Sequence, residues 1–201
     1  MKQDLAVFQL LYDIGVRKAQ SILDFGCGYG AYTIPIAAMT GEYGKVYALD
    51  REREALDVLM RKAFQSGLKN VVRMETNGET VLGFPDQSID VVIMFDVLHS
   101  FYFPKPENRK TILGEIHRIL KPSATLCISI WPNLRDPDIE GEIADACFSL
   151  IKEVPEKLTY ATTFSEKRII QSYRKVPCAP VAVALTNEAG RNYHESSYRS
   201  E

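Results

Sequence analysis

The segment Ile22-Leu23-Asp24-Phe25-Gly26-Cys27-Gly28-Tyr29-Gly30 sets three alternating glycines behind a short apolar run that carries an acid. Glycines at this spacing let a backbone turn sharply and approach a ligand that side chains would hold away. A second acid, Asp50, closes the apolar run Val46-Tyr47-Ala48-Leu49. A carboxylate there offers two acceptor oxygens to the adjacent hydroxyls of a ribose. Together these residues point to nucleotide recognition. Gly26, Gly28 and Ala31 satisfy the dinucleotide pattern G-x-G-x-x-G/A, with Asp50 where a ribose-binding acid belongs. Asp24 argues for a different ligand. A pyrophosphate at the following helix start would lie close to this carboxylate, and like charges repel in a poorly solvated pocket. A ligand with positive charge and no phosphate is attracted instead.

S-adenosylmethionine meets that description, with an ammonium, a sulfonium and no phosphate. Further segments extend the pattern: Val46-Tyr47-Ala48-Leu49-Asp50, Phe84-Pro85-Asp86-Gln87-Ser88-Ile89-Asp90-Val91-Val92 and Glu115-Ile116-His117-Arg118-Ile119-Leu120-Lys121-Pro122. With the glycine segment they resemble, in order, the motifs of class I S-adenosylmethionine-dependent methyltransferases that modify small molecules. The likeness runs from about residue 5 to 176. It implies that Asp24 holds the methionine ammonium, while Gly26, Cys27, Gly28 and Gly30 make room for the methionyl and ribose parts. Asp50 and the neighbouring Arg51 would take the ribose end. Asn77 stands where the family usually has Asp and would meet the adenine amino group, with the Gly78 N–H facing a ring nitrogen. Phe95 would offer its backbone carbonyl to the methionine end.

Methyl transfer is a direct displacement, so alignment of acceptor and sulfonium is the main requirement. A general base helps when the acceptor must lose a proton. Asp96 and His99 follow the apolar run 89–95, where the resemblance puts the acceptor, and are the catalytic candidates. His117, beside an apolar helix face, reads as structural. No Asn/Asp-Pro-Pro-Tyr/Phe sequence follows residue 95, which argues against amine methylation on a base or glutamine. No Asp-Asn follows the run 125–130, so no metal is expected. Tyr29, Tyr32, Phe101, Tyr102 and Trp131 are candidates to line an acceptor pocket roofed by the N-terminal helix and residues 131–147.

The elements that must position these groups are legible in the hydrophobic pattern. Short apolar runs at 21–25, 45–50, 71–75, 89–95 and 125–130 read as strands. They alternate with helical stretches at 31–39, along the face Leu56, Leu59, Met60, Ala63 and Phe64 with Gly67 as its stop, and at 106–120, a doubly wound α/β pattern. A helix at 138–148 and strands at 149–160 and 168–176 complete the reading. The resemblance implies a seven-stranded, mostly parallel sheet with its last strand antiparallel, the Rossmann-like methyltransferase fold. Leu5, Phe8, Leu11 and Tyr12 suggest the apolar face of a first helix. Residues 179–201 are expected to be a flexible tail behind a domain of residues 1–178.

Composition narrows the class. The 201 residues carry 24 Lys+Arg against 26 Asp+Glu, a net charge of −2 that disfavours a phosphate-driven nucleic-acid binder. No apolar run is long enough to cross a bilayer. The N-terminal Met-Lys-Gln-Asp carries no secretory signal, and the four cysteines form no CxxC pair. These features suggest a cytoplasmic protein with reduced thiols. The expected partners are a small-molecule methyl acceptor and a second copy of the chain, with no membrane. Two other readings stay open: a non-catalytic S-adenosylmethionine-binding subunit that needs a partner, and an NAD-dependent oxidoreductase.

Overall fold

The computed structural model describes residues 2–155 and 169–178. Seven strands form one sheet in the order β3-β2-β1-β4-β5-β7-β6. They are β1 Ser21–Phe25, β2 Lys45–Asp50, β3 Val71–Glu75, β4 Ile89–Phe95, β5 Leu120–Ser129, β6 Phe148–Pro155 and β7 Ile169–Lys175. β1 to β5 pair in parallel, whereas β7 runs antiparallel to both β5 and β6. The expected seven-stranded fold is present.

The helices are α1 Lys2–Asp13, α2 Thr33–Thr40, α3 Arg53–Gln65, α4 Pro106–Ile119 and α5 Ile139–Asp145. Alternate strand residues feed two cores, one on each face of the sheet. Ile22, Val46, Val91 and Ile93 pack with Leu11 of α1, Ile36 of α2, and Leu56 and Leu59 of α3. Leu23, Val92 and Met94 pack with Ile112, Leu113 and Ile116 of α4, and with Ile139 and Ile143 of α5. Cover on both faces explains why β4 is apolar at every position except Asp90. The order of strands reverses between β1 and β4. Open α/β sheets bind ligands outside the carboxyl ends of their strands at such a switch point.

Several expectations need correction. The buried side of α1 is Val7, Leu10 and Leu11, continued by Ile14, while Leu5 and Tyr12 are 70% and 54% exposed. The expected face of Leu5, Phe8, Leu11 and Tyr12 was therefore rotated from the true one. β5 begins at Leu120, straight after α4, because residues 121–124 bulge opposite Asp90. Ile89 pairs with Leu120, and the next pair is Val91 with Thr125. Lys121 Nζ ties the bulge to Asp90 at 2.8 Å, and Ser123 carries a positive φ of 61°. α5 stops at Asp145, three residues short of the expected end, and Cys147 follows with φ 65°. Of the expected strand 149–160, residues 149–155 lie in β6 and the rest fall outside the described residues, as does the expected tail 179–201. The thiols are not all reduced. Cys147 and Cys178 form a disulfide, while Cys27 and Cys127 are free and buried.

Candidate functional site

The carboxyl ends of β1, β2 and β4 bring the sequence-predicted residues together. β1 presents Asp24 toward α2, where the Thr33 hydroxyl donates to Asp24 Oδ2 at 2.6 Å. Only 4% of Asp24 is exposed. Burial raises its carboxyl to about 6, the Thr33 hydrogen bond partly opposes that rise, and the Asp50 charge adds to it. The glycine loop then crosses to β2. The N–H groups of Gly26 and Cys27 both donate to the Leu49 carbonyl, at 2.8 and 3.1 Å. The Gly28 N–H donates to Asp50 Oδ2 at 2.7 Å, and Asp50 Oδ1 accepts the Glu52 N–H at 2.9 Å. Two acids thus sit at the ends of adjacent strands with the loop folded between them.

The three glycines have separate duties. A Cβ on Gly26 would lie 2.3 Å from Val97 Cγ2, so this glycine lets the loop after β4 press onto the glycine loop. A Cβ on Gly30 would lie 2.8 Å from Leu59 Cγ and collide with α3. At Gly28 the missing Cβ faces open space, with nothing within 4 Å. Gly28 is therefore the one of the three whose missing side chain is not required by packing. Cys27 is buried, and its thiol is pushed well above the ordinary range, first by burial and then by the Asp24 charge.

Asn77 and Gly78 lie just beyond β3 in an exposed turn. Glu79 closes that turn by accepting the Asn77 N–H at 2.8 Å and the Thr76 hydroxyl at 2.6 Å. The Gly78 N–H donates to Thr76 Oγ1 at 3.0 Å. The Thr76 N–H bonds to the Asp50 carbonyl at 3.1 Å, which places the turn beside the second acid. The Arg51 guanidinium lies 4.8 Å from the Tyr102 ring centroid. Phe95 stands edge-on to Tyr32, with ring centroids 4.8 Å apart.

The two catalytic candidates occupy the loop after β4. Asp96 adopts φ 57° and donates its N–H to the Ser129 carbonyl at 2.7 Å, tying the loop to β5. His99 is only 2% exposed. Its Nε2 lies 3.1 Å from the Asp96 carbonyl, and its Nδ1 accepts the Phe101 N–H at 3.3 Å. A carbonyl can only accept, so the proton sits on Nε2 and the ring is neutral. Burial lowers the His99 pKa, and its hydrogen bond to Asp96 and the Asp136 charge act against that. Both nitrogens serve the backbone of the loop, so the expected base is occupied as a clip. Of the aromatics expected to line a pocket, Phe101 packs edge-on against Tyr102, and both Phe101 and Tyr29 are exposed.

The sequence reading passed over Thr33, Val97 and Arg109. The first two carry no spacing signal. Arg109 does: it falls on the same helical face as Ile112, Leu113 and Ile116, where a charge demands a partner. The Arg109 guanidinium bonds to both Glu142 oxygens, at 2.7 and 2.6 Å, and to the Phe103 carbonyl at 3.0 Å. It thereby joins α4 and α5 to the loop.

A buried anion that binds its proton tightly, a second acid beside it and open space at Gly28 fit a cationic nucleoside better than a pyrophosphate. Comparison with known proteins agrees. Residues 23–128, more than half of the chain, match the model of a family described as a methyltransferase domain. The chain belongs to the class I S-adenosylmethionine-dependent methyltransferases. A demethylmenaquinone methyltransferase of Listeria monocytogenes is 30% identical over 182 residues, covering 89% of this chain and 72% of that protein. One of the same name from Geobacillus stearothermophilus is 35% identical over 116 residues, 57% of this chain. The chain spans 47% of that relative's length, and 30% of a sterol 24-C-methyltransferase from Neurospora crassa that is 30% identical over the matched part. A solved S-adenosylmethionine-dependent methyltransferase from Aquifex aeolicus shares the fold, with TM-score 0.69 and 24% identity over 85% of this chain and 89% of that one. The methyl donor inferred from Asp24 is the cofactor of this family. No helix among the described residues is long and apolar enough to cross a membrane.

Proposed function

We propose that this methyltransferase domain moves a methyl group from S-adenosylmethionine to a small-molecule acceptor, and that alignment of the two is its main catalytic device. The observation that carries the reading is the buried Asp24 carboxylate at the end of β1, together with Asp50 at the end of β2, which holds the N–H of an uncrowded Gly28. Bound there, the cofactor would supply a methyl group activated by its sulfonium. Asp24 receives the methionine ammonium, and Asp50 accepts from the ribose hydroxyls while it continues to hold Gly28. Arg51 covers the ribose end from the side of Tyr102. Asn77 would meet the adenine and the Phe95 carbonyl the methionine end, while the Gly78 N–H would have to leave Thr76 Oγ1 to reach an adenine nitrogen.

On the acceptor side, Asp96 is assigned the role of taking a proton from the attacking atom. His99 holds the 96–105 loop in shape and acts through it. The relatives named for demethylmenaquinone make a demethylated quinol the first acceptor to test. Calorimetry with S-adenosylhomocysteine tests the cofactor roles. Replacing Asp50 with Ala should weaken binding by about 1.5–3 kcal/mol, the scale of hydrogen bonds to a charged group. Unchanged affinity would remove the ribose assignment, and stabilisation by NAD(H) in place of S-adenosylhomocysteine would overturn the methyl donor.

A further inference from the structure

A second group of chemically able side chains lies near the start of β5, at the opposite end of the sheet's strands. His117 stands on the last turn of α4, Cys147 sits between α5 and β6, and Cys178 follows the end of β7. One ring nitrogen of His117 and the two Sγ atoms lie within 4.8 Å of one another. β7 runs antiparallel to β5, so its end returns beside the start of β5, away from the strand ends that carry Asp24 and Asp50. The cluster is thus separate from the cofactor site.

The surroundings hold this cluster in place. The Val176 N–H donates to the Cys147 carbonyl at 3.0 Å. The Val176 carbonyl lies 2.9 Å from His117 Nε2. That carbonyl requires the proton on Nε2 and leaves the lone pair on Nδ1. A histidine whose other nitrogen donates to a backbone carbonyl is the usual arrangement behind a metal-ligating imidazole. The ring is fixed further by an edge-on contact with Phe148, with centroids 5.5 Å apart. No sequence spacing announces the set, because its members are 30 and 31 residues apart on three elements.

We propose that His117, Cys147 and Cys178 form a soft-metal site, in which the imidazole and two thiolates hold one cation of the Zn²⁺ class and oxidation to the disulfide closes it. Ligands at about 2.0–2.3 Å from a tetrahedral ion lie roughly 3.5–3.8 Å from each other, inside the span of the cluster. Three protein ligands leave one position for water. The sulfurs are bonded to each other in this state, so the ion requires a reductant. A phosphine breaks the S–S bond, takes its oxygen from water to become the phosphine oxide, and leaves two thiols. Binding the ion then displaces both thiol protons. The two remaining cysteines do not compete, because burial raises the thiols of Cys27 and Cys127.

Cobalt(II) is the probe. Phosphine-reduced chain should take up one equivalent, with a thiolate-to-cobalt charge-transfer band in the near ultraviolet, and unreduced chain should take up none. His117→Ala should weaken uptake by more than about 100-fold, beyond the roughly 10- to 100-fold loss expected for a partner outside the coordination sphere. Cys147→Ser and Cys178→Ser should each abolish the band. Cys178 is exposed and beyond β7, so Cys178→Ser decides the matter if the Cys147 variant fails to fold by circular dichroism. Reduced chain that binds no cobalt, or a Cys178→Ser variant that binds it equally well, overturns the proposal.

Discussion

Between β1 and α2 the chain is held mainly by two carboxylates at strand ends. The Gly28 N–H reaches Asp50, 22 residues on, and the Thr33 hydroxyl reaches Asp24, nine residues back. Past β4, residues 96–105 are held from within by His99 and from outside by two arginine side chains. Arg109 grips the Phe103 carbonyl while bonding to Glu142, 33 residues on, and Arg51 comes from the end of β2 to lie over Tyr102. The two loops meet where Val97 presses onto Gly26. The glycine loop is therefore held mainly by polar groups that lie between β1 and the end of β2, whereas the loop after β4 also draws on side chains from α4 and from the end of β2.

The largest test of that contrast is Arg109→Ala. Arg109 is 4% exposed, and its loss leaves Glu142 and Asp136 without their cation. Removing one partner of a buried pair costs about 3–5 kcal/mol, readable by urea unfolding. The folded fraction should keep its affinity for S-adenosylhomocysteine, because the glycine loop does not use Arg109. A cost of about 1 kcal/mol, the scale of a surface pair, would break the comparison.

Next come two glycines two residues apart. Gly26→Ala places a methyl on Val97 at a φ of 79°. Left-handed strain and overpacking together should cost about 2–4 kcal/mol. Gly28→Ala, at φ 49° with open space around it, carries only the backbone part, about 1 kcal/mol. Its larger effect should be on ligand binding, because the added methyl fills the space left for it. Equal destabilisation of the two variants would show that the glycines share one duty.

The same contrast explains what could be read from the sequence. Asp24, the glycines and Asp50 lie on one strand-loop-helix unit and the next strand, and their spacing carries their meaning. The strands that hold them announce themselves as apolar runs. The orientation of α1 was misread because Leu5, Phe8 and Tyr12 repeat with helical spacing as well as Val7, Leu10 and Ile14 do, and only packing against α2 and the sheet decides between the faces. The early start of β5 was missed because Pro122 reads as a stop. The Asp90–Lys121 ion pair that holds the bulge joins residues 31 apart. His99 was read by its titration range, yet its ring nitrogens are committed to two backbone groups that only the folded loop brings near. The Cys147–Cys178 pair is hidden for the same reason, since nothing in the spacing says that the chain leaving β7 returns beside Cys147.

A last test sets Asp24 and His99 against each other through pH. The Asp24 carboxyl rises from 3.8 to about 6 on folding, mainly through burial, so the folded chain holds this proton more tightly than the unfolded one. The stability it contributes is fully present below about pH 3.8 and is lost as pH rises through about 6. At about 1.4 kcal/mol per unit, the loss is on the order of 2–3 kcal/mol. His99 runs the other way. Its folded pKa is lowered, so its contribution is present above 6.5 and fades as the pH falls toward the folded value. Asp24→Asn keeps an acceptor for Thr33 and removes the charge. It should unfold at higher urea than wild type at about pH 7.5, and that advantage should vanish toward pH 4. His99→Leu should flatten the opposite, acid-side loss. Ligand binding separates stability from function: wild-type affinity for S-adenosylhomocysteine should rise as pH passes through about 6, because the ionised carboxylate is what attracts the ammonium, while Asp24→Asn should bind weakly at every pH. If wild-type affinity is flat across that range, the charge of Asp24 is not what the cofactor site offers its ligand, and the local half of the comparison loses its central residue.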